Sequence, residues 1–452
     1  MNTSLPHRSR GNTSRRTVSA VALGAVLALT ATACGDDGSG GSGNEGSGKG
    51  EITFWDNNGG VRTAVWQKII AAFEKKNPDI DVKYVPIPIT DVQSKYDTAI
   101  AGGGLPDVGG VGTAYLANMV AQNALDPVTE RIDDSPLKGK LSTGMVKNVR
   151  AAGGRGEEMY AVPTSANQGT LWYRTDLFRA AGLKAPATWK EFYAAADRLT
   201  DARNNKFGFT IRGGAGSVAQ ALDMMYAQSG IDTFWNGDKS TVADPKNVEA
   251  LEKYVGLYKK ATPSADLNND FTKMVAQFDQ GSIGMLQHNL GSYPDHVKAF
   301  GKDKIDGFPL PPAADGGPRT IVSTPVDGLG LFKGGKNKAA AWKFIEFAAT
   351  PEMNSLWNKE AGSIPANNDA ADDEWITSAK PIAMAMESVN DPGTKIVQLP
   401  YYLPDWNKIS KAETEPDFQK VLLGKMTSKE FAEKLAGLLD AAQKEWNEQQ
   451  KS

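Results

Sequence analysis

The polar and apolar positions change period repeatedly along the chain. Ile52-Thr53-Phe54-Trp55 is a short apolar run that stops at Asp56-Asn57-Asn58-Gly59-Gly60, which predicts a strand ending in a loop. Val65, Ile69, Ala72 and Phe73 then share one helical face, and Asn77-Pro78 ends that helix. Ile80, Val82 and Tyr84 alternate as a half-buried strand does. Strand, helix and strand in this order point to an α/β fold with parallel strands. Thr188 and Glu191 form a capping box ahead of Trp189, Phe192, Ala196 and Leu199. Ala341, Phe344, Ile345 and Ala348 mark another amphipathic helix, which Pro351 is expected to stop. Thr427 and Glu430 cap a last helix carrying Phe431, Leu435, Leu438, Ala442 and Trp446. No internal repeat interrupts this pattern.

The first 50 residues follow a different plan. A basic stretch ends at Arg16, Thr17 to Thr30 is apolar and small, and Ala31-Thr32-Ala33 precede Cys34. An apolar run of about 14 residues suits the core of an export signal and is short for a membrane span. Cys34 is the only cysteine, so no disulfide forms within one chain. The expectation is that residues 1–33 are a lipoprotein signal peptide and that Cys34 becomes the lipidated first residue. Ala31 stands where such signals usually carry Leu, so an ordinary secretory signal with a chance cysteine is the alternative. Ser14-Arg15-Arg16 leaves both the general secretory and the twin-arginine routes open. Residues 34–50, rich in Gly and Ser, read as a flexible tether. The protein is therefore expected outside the cytoplasm, anchored to the outer face of the cell membrane.

Charge and missing chemistry narrow the function. The 452 residues carry 50 basic and 53 acidic side chains, a net charge of −3. Four of the basic groups, Arg8, Arg10, Arg15 and Arg16, belong to the signal, and the rest is more acidic, which argues against nucleic acid as a partner. His7, His288 and His296 are the only histidines. There is no G-x-S-x-G elbow, P-loop or H-E-x-x-H motif, and the one G-x-G-x-x-G, at Gly38 to Gly43, lies in the tether with no strand before it. No cofactor and no metal site is expected. Carboxylates are abundant, and a glycosidase needs two, so a cell-surface glycan-processing enzyme stays as an alternative.

Several stretches together resemble a known family. They are Glu51-Ile-Thr-Phe-Trp55, Phe73-Glu-Lys-Lys-Asn-Pro-Asp-Ile80, Pro106-Asp-Val108 and Tyr160-Ala-Val-Pro163, then Leu171-Trp-Tyr-Arg-Thr-Asp-Leu-Phe178. Phe278-Asp-Gln-Gly-Ser-Ile-Gly-Met285, Ala341-Trp-Lys-Phe-Ile-Glu-Phe347 and Gly362-Ser-Ile-Pro365 complete the series. In this order and spacing the chain resembles the extracellular solute-binding proteins that feed sugars to ABC importers, the family of maltose-binding protein. The resemblance implies a two-lobed, type II periplasmic-binding-protein fold with a hinge and an interlobe cleft. By analogy, lobe one holds residues 51–165 and 307–350, and lobe two holds 166–306 and 351–452. It also implies a carbohydrate ligand, the permease subunits of an ABC importer as partner, and no enzymatic activity. A sugar receptor without a transporter is the third reading.

Candidate contacts follow from two rules. A sugar wants aromatic platforms beside paired hydrogen-bonding groups, and the C-terminal ends of strands face the crevice. Trp55, Asn57 and Asn58 end the first strand; Thr113 and Tyr115 follow the glycines at 109, 110 and 112. Asn167 and Gln168 lie at the expected first crossover, and His288 and Asn289 at another strand end, with Tyr293 the next aromatic. Asp327 is placed in a crossing loop before a strand at Leu329 to Phe332, and Ser363 in Gly-Ser-Ile-Pro. Tyr401, Tyr402 and Trp406 crowd a Pro-bounded loop, and Trp235 sits in a similar aromatic pair. Asp107 reads as a structural cap.

Overall fold

Gly50–Asp56 forms the first strand, and its alternation decides which helix covers which face. The structure is a computed structural model that describes residues 45–60, 62–89 and 91–450; the expected signal peptide, residues 1–33, and Cys34 lie outside the described residues. Ile52 and Phe54 are fully buried on one face. The Phe54 ring lies 4.7 Å from Trp66 and 5.2 Å from Phe344, so helices Thr63–Lys76 and Lys338–Ala348 cover that face. Trp55 points the other way, 5.6 Å from Tyr96 on helix Val92–Gly102. Each fully buried aromatic of this kind contributes roughly 1.5–3 kcal/mol.

Six strands make the larger sheet. Gly50–Asp56 runs parallel to both Ile80–Pro86 and Val108–Gly110, as the strand–helix–strand reading predicts. Strand Val326–Leu331 returns between Val108–Gly110 and Val162–Ala166, antiparallel to both, and Ile364–Pro365 closes the edge. The sheet is therefore mixed. Asp107 is a cap: its carboxylate accepts the backbone N–H of Thr53 at 2.8 Å, Lys336 at 2.7 Å and Asn337 at 3.1 Å. It ties the first strand to the start of helix Lys338–Ala348.

A smaller sheet of three antiparallel strands has Gly169–Arg174 at its centre, between Met285–Asn289 and Ile305–Phe308. Leu171 and Trp172 enter different hydrophobic clusters, one on each face. Both capping boxes form: the Thr188 hydroxyl accepts the Glu191 N–H, and the Thr427 hydroxyl accepts the Glu430 N–H. Pro351 does not simply stop a helix. Lys338–Ala348 ends before it, and Pro351 opens the next helix, Pro351–Ala361, where its missing N–H is no loss.

Two sheets give two bodies, and their cores show where the chain crosses. The first core takes residues from Ile52 to Val162 and from Val326 to Ala366. The other two clusters take residues from Leu171 to Val322 and from Ile376 to Leu439. The second and third crossovers thus differ from the sequence expectation. Residues 307 and 308 still pair in the small sheet and Val322 packs in the second core, while Met353, Trp357 and Ala366 belong to the first. The second crossover is the three residues Ser323, Thr324 and Pro325, next to the loop in which the sequence placed Asp327.

Candidate functional site

The first crossover is only two residues long. Asn167 and Gln168 join strand Val162–Ala166 of the large sheet to strand Gly169–Arg174 of the small one. The second crossover lies against it: the Thr324 hydroxyl donates to the Asn167 carbonyl. Ser363, just before edge strand Ile364–Pro365, donates to the Asn167 Oδ1 at 3.4 Å. The Tyr401 hydroxyl donates to the Ser323 carbonyl at 3.0 Å, and its ring packs against both the first and second cores. These groups form a hinge, and the space beside it is the candidate site.

From the large sheet, the strand ends supply acids and amides. Asn57 is buried against Gly110, where a Cβ would overlap the Asn57 Oδ1; only glycine admits that side chain. Asn58 donates its amide to Asn57 Oδ1 at 3.4 Å. Asp327 lies within strand Val326–Leu331, opposite Ser165, and not in a crossing loop; a bulge follows it. A bulge re-aims a side chain at a sheet rim. Burial pushes the Asp327 carboxyl up to about 6, with Asp56 adding to the shift and Arg62 opposing it. Thr113 is committed to the fold, because its hydroxyl accepts the Val326 N–H at 3.1 Å.

From the small sheet and its helices come His288, Asn289, Gln287, Asp223 and Arg212. Gln287 donates to the Asp223 carboxylate at 2.9 Å. Burial raises Asp223 to about 7, and the Gln287 hydrogen bond opposes that rise. No cation pairs with Asp223 among the described residues, yet the side chain is only half-buried. His288 stacks on Phe271 at 4.8 Å, and its Nδ1 has no partner among the described residues. Burial and the nearby Arg212 hold its pKa well below the ordinary value, so the ring is neutral at pH 7. Asn289 Oδ1 accepts the Gly291 N–H at 3.0 Å, and the Gln168 carbonyl accepts the Leu290 N–H at 3.1 Å.

The two sides meet through charges and rings. Arg62, at the start of helix Thr63–Lys76, lies close to Asp327, Asp295 and Asp56. Tyr115 lies by Asp327, and burial lifts its hydroxyl to about 12. The Lys411 ammonium sits 5.1 Å from the Tyr115 ring, and Lys411 in turn neighbours Glu415 and Arg212. Acids, amides and cations from both bodies are therefore brought near the hinge. Such an array donates and accepts hydrogen bonds to a polar ligand. It holds no nucleophile–base pair of the usual kind, and no metal-ligating cluster occurs among the described residues.

A profile of the family described as bacterial extracellular solute-binding protein matches residues 59–355. The chain belongs to that family. It is 28% identical over 300 residues to a putative ABC transporter periplasmic-binding protein, YcjN, of Escherichia coli (strain K12), covering 66% of this chain and 67% of the relative. A mannitol-binding protein of Pseudomonas aeruginosa is 26% identical over 395 residues, covering 83% and 86%. Among solved structures, an ABC substrate-binding protein, Lmo0181, from Listeria monocytogenes in complex with cycloalternan superposes with a TM-score of 0.73 at 25% identity, covering 89% of this chain and 99% of that one. The fold is the two-lobed α/β fold of type II periplasmic binding proteins.

Five of the residues singled out from sequence do not join this solute-binding protein's cleft. Trp55 faces an outer groove with Ser94 and Thr98, its ring 4.6 Å from the Lys95 ammonium. The strand's alternation turns it away from Phe54's face. Tyr293 stacks on Trp172 at 5.6 Å, in the third hydrophobic cluster. Trp406 is 5% exposed in the second core, edge-on to Tyr401 and Phe234. Tyr402 donates to Gln443 and packs on Trp446; Trp235 packs on Phe234 in a short hairpin. These aromatics fill the fold because a large apolar ring gains more from burial than from exposure. Sequence reasoning missed Arg62, Arg212, Asp223, Lys411 and Glu415. Arg62 had a signal, its place between Gly59-Gly60 and a helix start; Asp223 lies mid-helix in Ser217–Ser229 and had none.

Proposed function

We propose that the chain is the substrate-binding lipoprotein of an ABC importer, held outside the membrane by acylated Cys34. In this reading the ligand is a sugar or polyol taken into the interlobe cleft and delivered to the permease. The observation that carries it is the placement of one acid from each lobe at the two ends of the Asn167–Gln168 crossover: Asp327 opposite Ser165 just before it, and Asp223 beside Gly169 just after it. Ionised carboxylates are strong acceptors for sugar hydroxyls, and the amides of Asn57, Asn58 and Asn289 supply both donors and acceptors. Contacts made by both lobes favour the closed form, which a permease can then distinguish from the open one. The relatives' ligands, mannitol and cycloalternan, belong to the same hydroxyl-rich class. The test is a thermal-shift screen of sugars and alditols on the mature protein. A specific ligand at 100 times its Kd stabilises by about 2.7 kcal/mol and raises the melting temperature. A shift caused only by peptides, metals or polyamines rejects the reading.

A further inference from the structure

The cleft is bridged by lobe-to-lobe contacts on both of its flanks. The two faces of the large sheet define these flanks. On one face helix Thr63–Lys76 begins just after Arg62. The Arg62 Nη2 would lie 2.9 Å from a Cβ at Gly291 in the opposite lobe, so a side chain there would collide with the guanidinium. The same nitrogen donates to the Ala361 carbonyl at 3.2 Å, which fixes its position. On the other face helix Thr113–Ala121 begins, and the opposite lobe reaches it through Asn407 and the π-helical turn Lys408–Glu413. The Asn407 amide donates to the Ala114 carbonyl at 2.6 Å and to Gln93 Oε1 at 3.3 Å. Lys411 covers the Tyr115 ring at 5.1 Å. Asp327 sits beside the second bridge, its Oδ1 3.2 Å from where a Cβ at Gly112 would lie, and Arg62 of the first bridge neighbours both Asp327 and His288. π-helical turns are uncommon and often mark functional positions.

We infer that the site takes a short ligand, a monosaccharide, disaccharide or alditol, and that the Asn407–Lys411 turn is the length-limiting wall. This rests on the functional reading above. A longer linear chain needs an open flank for its next ring, and here that path runs through Asn407 and Lys411 or through Arg62. Opening the flank costs the Asn407 hydrogen bonds and leaves the Ala114 carbonyl to find water.

The test is calorimetric titration of the mature protein with mono-, di-, tri- and tetrasaccharides of the gluco, galacto and manno series, and with the matching alditols. Tri- and tetrasaccharides are expected to bind at least about tenfold more weakly than the best shorter ligand, a difference of about 1.4 kcal/mol. In the double variant Asn407→Ala, Lys411→Ala that gap is expected to shrink to about threefold or less. Tyr115→Leu, which removes the ring beneath Lys411, provides a second route to the same opening. A trisaccharide that binds the native protein as tightly as the best shorter ligand overturns the inference and leaves the sugar reading intact. An unchanged gap in folded variants overturns the wall. If no sugar or alditol of any length binds, the functional reading falls and the inference with it.

Discussion

The Gln287 amide donates a 2.9 Å hydrogen bond to the Asp223 carboxylate, and Gly169 leaves this pair uncovered. A Cβ at Gly169 would lie 3.3 Å from Asp223 Oδ2 and 3.5 Å from Gln287 Nε2. The amide orients the acid and opposes the burial that would neutralise it. Asp223→Ala removes the acceptor and leaves Gln287 unpaired. Sugar affinity is expected to fall by about tenfold or more, from the usual range for a hydrogen bond to a charged group. Calorimetry on the folded variant checks this, and unchanged affinity would place the ligand elsewhere.

Affinity is expected to depend on pH, with a definite sign. Asp327 titrates near 6 and Asp223 near 7 in the unliganded protein, both raised by burial. Ligand hydroxyls donate better to the ionised forms, so binding releases protons and strengthens as pH rises. Between about pH 5 and about pH 8 the affinity is expected to rise roughly tenfold. Stability of the free protein moves the opposite way. A carboxyl whose folded pKa is raised contributes fully at pH below the unfolded value and loses that contribution as pH rises through about 7. Asp223→Asn is therefore expected to gain stability over the native protein at about pH 8, and that advantage is expected to shrink steadily as pH falls and to vanish only below about pH 4, as read by urea midpoints.

Trp406 separates core from cleft. It is 5% exposed and touches Tyr401 and Phe234 edge-on. Trp406→Ala is expected to destabilise by about 3–5 kcal/mol, the range for large buried aromatics. Ligand affinity of the folded fraction should stay within about twofold of native. Chemical denaturation and calorimetry on the same sample decide the matter; a large affinity loss at native stability would return Trp406 to the site.

The proposed anchor has its own test. Cys34→Ala removes the sulfur that an acyl chain requires. The variant is expected in the medium or soluble extracytoplasmic fraction, with ligand affinity equal to that of the native protein. Retention in the membrane fraction would reject lipidation at this residue.

The sequence carried the fold better than the site. Alternation at Ile52, Val82 and their neighbours, and the capping boxes at Thr188 and Thr427, report local geometry, and each appears in the structure. Asp107 was legible as a cap because an acid beside a glycine-rich loop commonly satisfies free amides, and here it takes three. Asn57 and His288 do stand at or just beyond strand ends, and residues 167 and 168 do join the two sheets. Aromatic residues misled, because Trp55, Tyr293 and Trp406 have the chemistry of a sugar platform and equally that of a core. Side-chain direction relative to the cleft, which depends on how the elements pack, separates the two. Asp223, Arg212 and Lys411 stayed hidden for a related reason: a lone polar residue reads as solvated until tertiary packing supplies its neighbours.

The most direct measurement is a crystal structure of the mature protein with the sugar or alditol that stabilises it most. The ligand is expected between the lobes, with its hydroxyls on Asp327 from one side and Asp223 from the other, and with the Asn407 bond to Ala114 intact. A ligand seated outside the cleft, for example on Trp55 in the outer groove, or one touching a single lobe only, would contradict the account.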